Sequence, residues 1–163
     1  MIDKLKNTIE NYSMLKRGMK VLVCVSGGAD STAMLYALNS LRGYLGIELI
    51  IAHLNHKLRG KDSDKDEAYV KSLAGRLNLP VITDSADVKK LALSNKLSLE
   101  DAARRARYDF FLKRAKELKA DVIATAHTRD DQAETFLMRI LRGAGLRGLR
   151  GILPKNSLGR FVV

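Results

Sequence analysis

"VLVCVSGGADSTAML", residues 21–35, decides how the rest of this chain is read. It opens with a continuously apolar run, as expected of a strand covered on both faces, and apolar residues later resume at helical spacing. The joint between them is Ser26-Gly27-Gly28-Ala29-Asp30-Ser31. Gly27 and Gly28 permit positive φ and remove side chains that would block a ligand's close approach. Successive N–H groups at such a joint form an anion-binding nest, with the helix dipole aimed at the same point. Ser26 and Ser31 add hydroxyl donors for phosphate oxygens. Asp30 is the informative residue, because a carboxylate in a phosphate cradle repels its ligand unless a cation such as Mg²⁺ sits between them. The alternative is a tight glycine turn in which Asp30 and Ser31 are ordinary first-turn residues. The spacing fails for a Walker loop, and no GxGxxG fingerprint is present.

Working outward, further apolar runs of strand length occupy 47–53, 79–83 and 121–126, beside 20–25 for the first. Helical patterns separate them at 29–42, 62–78, 98–119 and 129–142, with another in the first 16 residues. "SLED" at 98–101 is a capping box opening the longest helix, for which Leu99, Ala103, Ala106 and Phe110 form the expected inward stripe. Lys113, Arg114, Lys116 and Lys119 read as its solvated side. Alternation of strand and helix predicts an α/β fold, a parallel five-stranded sheet with helices on both faces. The chain ends on an apolar tripeptide read as a last strand, the mark of a domain cut from something longer.

The 163 residues suit one domain, and no stretch of about 18 uncharged apolar residues could span a membrane. No secretory signal opens the chain. Cys24 is the only cysteine, so neither a disulfide nor a CxxC pair is available, and a reducing, cytoplasmic setting fits. The 29 Lys and Arg against 18 Asp and Glu give a net charge of +11, which favours a polyanionic partner. A basic protein without such a partner is the plainer reading.

A second joint follows the run at 121–126, in "IATAHTRDDQAETFLMRILRG". His127, Asp130 and Asp131 fall just past the strand. Asp131, Glu134 and Thr135 share a helix face, opposite an apolar stripe of Phe136, Leu137, Ile140 and Leu141. Carboxylates there can complete a magnesium shell or orient a nucleophile, or can simply serve the helix dipole. In the loop "HLNHKLRG", His53 ends the second strand, and Arg59 or Lys57 could lie near phosphate; a solvated loop is the alternative. Arg104, Arg105 and Arg107 crowd the 98–119 helix. They cannot share one face, and Arg107 lies next to the inward stripe.

These blocks together resemble a known family. "SGGADS" resembles the pyrophosphate loop of the N-type ATP pyrophosphatases, whose fold is Rossmann-like, the adenine nucleotide alpha hydrolase fold. "HLNHKLRG", "SLEDAARRARYDFF" and "TAHTRDDQAETFLMRILRGAGLRGL" narrow the likeness to the catalytic domain of the tRNA(Ile)-lysidine synthetases. The resemblance implies that ATP and Mg²⁺ are used to join free L-lysine to the wobble cytidine of tRNA(Ile) with a CAU anticodon. The carbonyl oxygen of the cytidine attacks the α-phosphate and pyrophosphate leaves; the ε-amine of lysine then displaces AMP.

Carried over residue by residue, the resemblance implies that Ser26, Gly27, Gly28, Ala29, Asp30 and Ser31 bind the phosphates. Ala52, His53 and Leu54 would border the adenine. Asp30 and Asp131 would hold magnesium, and Arg107, His127 and Glu134 would complete the catalytic set. Residues 1–163 are then one catalytic domain with an N-terminal helix at about 1–16, its tRNA- and lysine-binding parts lying elsewhere, with room for a homodimer. Thr128 and Arg129 depart from the family's usual residues. Two other readings stand beside this one: a tRNA thiolation enzyme of the same superfamily, and a truncated ATP-binding module inactive alone.

Overall fold

The computed structural model describes residues 2–143 together with 145, 153, 155, 157, 158, 161 and 162. Its elements run α1 (Ile2–Asn11), β1 (Lys20–Cys24), α2 (Ala29–Leu45), β2 (Glu48–Asn55), α3 (Lys61–Leu77), β3 (Val81–Ser85), α4 (Val88–Asn95), α5 (Leu99–Leu118), β4 (Val122–Ala124), α6 (Arg129–Leu141), β5 (Ser157–Leu158) and β6 (Phe161–Val162). The sheet order is β3-β2-β1-β4-β6-β5. β1 pairs in parallel with β2 on one side and with β4 on the other, so the strand order reverses at β1. In an open parallel sheet that reversal leaves a crevice beyond the strands' carboxyl ends.

The α/β architecture with a parallel sheet is present, but the expected count of five strands is corrected. β1 to β4 form a four-stranded parallel body; β6 joins β4 in parallel, with the pair Val122↔Val162 among the described residues, and β5 runs antiparallel to β6 at the edge. Two residues separate β5 from β6, far too few for the crossover that a parallel pair requires.

Strand alternation divides the core. Val21, Val23, Val25, Leu49 and Ile51 face Ile9 of α1, Leu35, Leu38 and Leu41 of α2, and Val70 and Leu73 of α3. Leu22, Cys24, Ile50, Ala52 and Leu54 face Phe110, Phe111 and Ala115 of α5. Helices therefore cover both faces, which is why Val21–Cys24 of β1 and Leu49–Ala52 of β2 are apolar at every position. Helix α4 packs on α5 through Val88, Ala92 and Ala102. Among the described residues no helix is long and apolar enough to cross a membrane.

Some packing differs from the expected pattern. On α5 Phe110 is buried and Ala103 and Ala106 are half-buried against the core as expected, joined by Ala102, Phe111 and Ala115, whereas Leu99, the first residue of the helix, is 51% exposed. Arg114 is not a solvated charge: it joins Asp84 of β3 at 2.8 Å and Glu117 at 2.7 Å. The apolar stripe of α6 stays exposed, with Leu137 at 58% and Leu141 at 85%.

The two layers give a direct test by urea denaturation. Leu22 is fully buried at the centre of the sheet, so Leu22→Ala should cost about 2–5 kcal/mol. Leu141→Ala should stay within about 0.5 kcal/mol. A large loss at Leu141 would contradict the packing described here.

Candidate functional site

The crevice at the strand reversal is a cleft of about 300 Å³. Its walls come from the end of β1 and the turn after it (Cys24, Val25, Ser26, Ser31), from β2 and its loop (His53, Leu54, Asn55, His56, Leu58, Arg59), from α3 (Ser63, Asp66), from α5 (Arg107, Tyr108, Phe111) and from the segment after β4 (Thr125, Ala126, His127). The glycine turn and the His127 segment, distant in sequence, thus border one space.

The turn after β1 is fixed by its own hydroxyls. Ser31 Oγ donates to Gly28 O at 3.1 Å and accepts the Ser26 N–H at 3.1 Å. With its one proton spent, it can only accept from Ser26 Oγ, 3.0 Å away. Ser26 Oγ in turn accepts the Gly28 N–H at 3.3 Å. In this arrangement both serines brace the loop, and neither keeps a hydroxyl proton for a ligand. Helix α2 starts on Gly28 with no side-chain cap, whereas Asp87, Ser98 and Thr128 cap α4, α5 and α6. The first-turn N–H groups of this 17-residue helix lack the capping acceptor those helices have, which is what an anion site needs.

Gly27 is required for two reasons. Its φ is +96°, and a Cβ there would sit 3.1 Å from Asp66 Cβ. Sequence reading offered Arg59 but missed Ser63 and Asp66 beside it, because "KDSDKDEA" reads as a solvated stretch until α3 packs Val70 and Leu73 against the sheet. The signal available was that Ser63, Asp66 and Val70 repeat at helical spacing.

The other expected residues fall into distinct places. His53 lies inside β2, 2% exposed, with Nδ1 2.8 Å from Val25 O; the carbonyl can only accept, so Nδ1 donates, and Nε2 has no hydrogen-bond partner among the described residues. Leu54 lines the cleft, while Ala52 is fully buried and its carbonyl accepts the Val25 N–H at 2.9 Å. Arg107 lines the cleft between Cys24, His56 and His127. Gly27, Gly28, Ala29 and Asp30 form the rim beside it rather than its wall, and Asp30 is exposed in the first turn of α2. Asp131 and Glu134 lie on α6 outside the cleft lining.

Asp131 has a local partner. Its Oδ2 accepts the Thr128 N–H at 2.6 Å and the Thr128 hydroxyl at 2.9 Å, while its own N–H donates to Thr128 Oγ1 at 3.1 Å. This capping box leaves Oδ1 outside it, and the Thr128 N–H and hydroxyl hold the carboxyl below its usual range. Burial pushes the thiol of Cys24 up, so it stays protonated despite Arg107. Burial, reinforced by Arg107 and His53, brings His56 down to about 4. Burial also lowers His127, with Asp131 opposing and Arg104 and Arg107 assisting. The cleft thus presents guanidinium charge and neutral imidazoles.

This combination defines a doubly wound α/β protein with an anion cradle at its switch point. Residues 1–162 match the PP-loop domain family, and the chain belongs to that family. It is homologous to the tRNA(Ile)-lysidine synthases. That of Clostridium tetani is 47% identical over 152 residues, covering 93% of this chain and 32% of that protein. That of Geobacter sulfurreducens is 46% identical over 165 residues, covering 99% and 34%. The chain therefore spans about a third of the length of these relatives. The fold also matches a solved U34-tRNA thiolase, NcsA from Methanococcus maripaludis with its 4Fe–4S cluster, at a TM-score of 0.72 and 22% identity over 90% of this chain and 52% of that one.

Two variants separate the demands of the turn. Gly27→Ala should cost about 1–3 kcal/mol of stability in denaturant melts. Gly28→Ala should be tolerated, because φ is −76° and a Cβ there meets only Ser26 Oγ at 3.5 Å.

His56 supplies a pH signature. Its folded pKa of about 4 lies below the ordinary 6.5, so the unfolded chain binds the extra proton between those values. Stability then falls as pH drops through that window. His56→Asn should remove this part of the fall in Tm; an unchanged slope would assign it to other groups.

Proposed function

We propose that residues 1–163 act as one ATP pyrophosphatase domain of a cytoplasmic tRNA(Ile)-lysidine synthetase. It joins L-lysine to the wobble cytidine of a CAU-anticodon tRNA and converts ATP to AMP and pyrophosphate. The observation that carries this reading is the convergence of the uncapped glycine turn, Arg107 and His127 on one cleft at the strand reversal. The homology to tRNA(Ile)-lysidine synthases supports the choice of substrate.

The roles follow from position. The N–H groups of the turn and of the first turn of α2 face the β and γ phosphates, with Gly27 allowing their approach. Ser26 and Ser31 hold that turn in shape. Asp30 has no hydrogen bond or ion pair among the described residues, and a free carboxylate beside an anion cradle fits a hydrated Mg²⁺ shared with phosphate oxygens. Asp131, through Oδ1, is the second candidate ligand. Bound there, the ion would offset charge on the departing pyrophosphate. No group of three or more metal-ligating side chains occurs among the described residues, in keeping with a magnesium site completed by substrate and water.

The cytidine carbonyl oxygen must be aligned with the α-phosphorus, and Arg107 is placed to hold that phosphate or the base. Neutral His127 orients the nucleotide, Leu54 packs against the adenine, and Nε2 of His53 is left for a polar group of the ligand. Ala52 acts from beneath, by fixing the strand. Glu134 is the positioning acid on the α6 side. The ε-amine of lysine then attacks the activated carbon and AMP leaves in place of oxide.

The test is AMP formation from ATP with CAU-anticodon tRNA and lysine. Asp30→Asn should cut turnover about 100-fold with the fold intact. Normal magnesium-dependent AMP formation in that variant would contradict the assignment. A second reading, an ATP-binding module without activity of its own, rests on the chain covering 32% of the Clostridium tetani relative. Nucleotide binding without AMP would favour it. Sulfur transfer is disfavoured by the buried, protonated state of Cys24, the chain's single cysteine. Cys24→Ser should leave pyrophosphate release intact; loss without unfolding would revive that chemistry.

A further inference from the structure

The cleft contains an ion pair with no place in the roles above. Arg59 Nη2 lies 2.9 Å from Asp66 Oδ2, and both residues line the cleft. Asp66 is also the residue packed against Gly27, where an added Cβ would lie 3.4 Å from its Oδ1. A carboxylate is therefore built into the edge of the anion cradle, and its partner is a cation on the loop after β2.

The two partners differ in freedom. Asp66 is carried by α3, whose Val70 and Leu73 are fully buried, so it cannot withdraw without moving that helix. Arg59 has a side chain 73% exposed, and its backbone N–H is tied to Ser63 Oγ at 3.1 Å. Its guanidinium can swing while its Cα stays in place. An ion pair this exposed is worth about 0–1 kcal/mol, so a multiply charged phosphate can take the guanidinium from Asp66 at little cost.

We propose that Arg59 is a phosphate-binding arm that Asp66 holds beside the glycine turn, so that the carboxylate and the ligand's phosphates compete for one guanidinium. The inference rests on the reading of the turn as a phosphate cradle. It adds a release device: as pyrophosphate loosens, Asp66 recaptures Arg59 and so withdraws that cation from the departing anion. The turn's N–H groups and Arg107 would otherwise hold a pyrophosphate product with no group competing for its cationic partners.

The experiment measures binding of inorganic pyrophosphate and of ATP, each with Mg²⁺, by calorimetry, and pyrophosphate dissociation by stopped flow. Asp66→Asn should tighten pyrophosphate about 5-fold, chiefly through slower dissociation, and Arg59→Ala should weaken it about 10-fold with a shallower salt dependence. Arg59→Ala should still weaken binding in the Asp66→Asn background, because the arm contacts phosphate directly; Arg59→Lys should recover part of the loss. Unchanged or weaker binding in a folded Asp66→Asn, or no effect of Arg59→Ala, overturns the proposal while the cradle stands. If Asp66→Asn does not fold, the exposed Arg59 variants decide the matter. If the unaltered chain binds neither ligand, the cradle itself fails and the arm with it.

Discussion

The architecture depends on one constraint at the end of β1. The chain must leave a strand buried on both faces, reverse at Gly27 with φ +96°, and enter α2 within a few residues. Asp66 of α3 fills the space a side chain would need. Because β1 is also the strand at which the sheet order reverses, this turn opens into the one crevice that the topology creates. A glycine requirement, a missing helix cap and the switch point coincide, and the serine hydroxyls that hold the turn are consistent with its shape being set before any ligand arrives.

Much of this was legible in the sequence. β1, β2 and β4 announce themselves as apolar runs, and the two joints that follow β1 and β4 are where chemistry-bearing residues cluster. β2 extends to Asn55 rather than stopping at His53. His53 falls in the strand as expected, but its contact with the carbonyl of Val25 joins residues 28 apart in sequence, which no local pattern could anticipate. Helix α4 was not anticipated, since Val88–Asn95 offers only eight residues and its capping Asp87 lies in a polar run. The inward face of α5 was off by one position at its start: Ala102 packs against α4, a contact that exists only in the folded protein.

Charge in the cleft follows from the same placement. Desolvation favours the neutral forms of Cys24, His56 and His127, which leaves the guanidinium groups of Arg59 and Arg107 as the positive charge lining the cleft. An incoming polyphosphate meets these cations and backbone dipoles, with groups such as His53 Nε2 left for the uncharged parts of a ligand.

The two halves of the site are built by different means, and this bears on what each can contribute. The β1–α2 half is anchored by core: Leu35, Leu38 and Leu41 of α2 are buried beneath it, and α3 closes against Gly27. The β4–α6 half is anchored by hydrogen bonds, with the Thr128–Asp131 box fixing where α6 begins and no buried side chain from Asp130 to Leu141. The turn proposed to bind phosphate, a task that needs backbone groups held to a fraction of an ångström, sits on the half secured by packing. Asp131 and Glu134 sit on the half whose direction is set at its first turn. Because the Asp131 carboxylate is part of the box that starts α6, any interaction that draws on it also acts on the helix carrying Glu134.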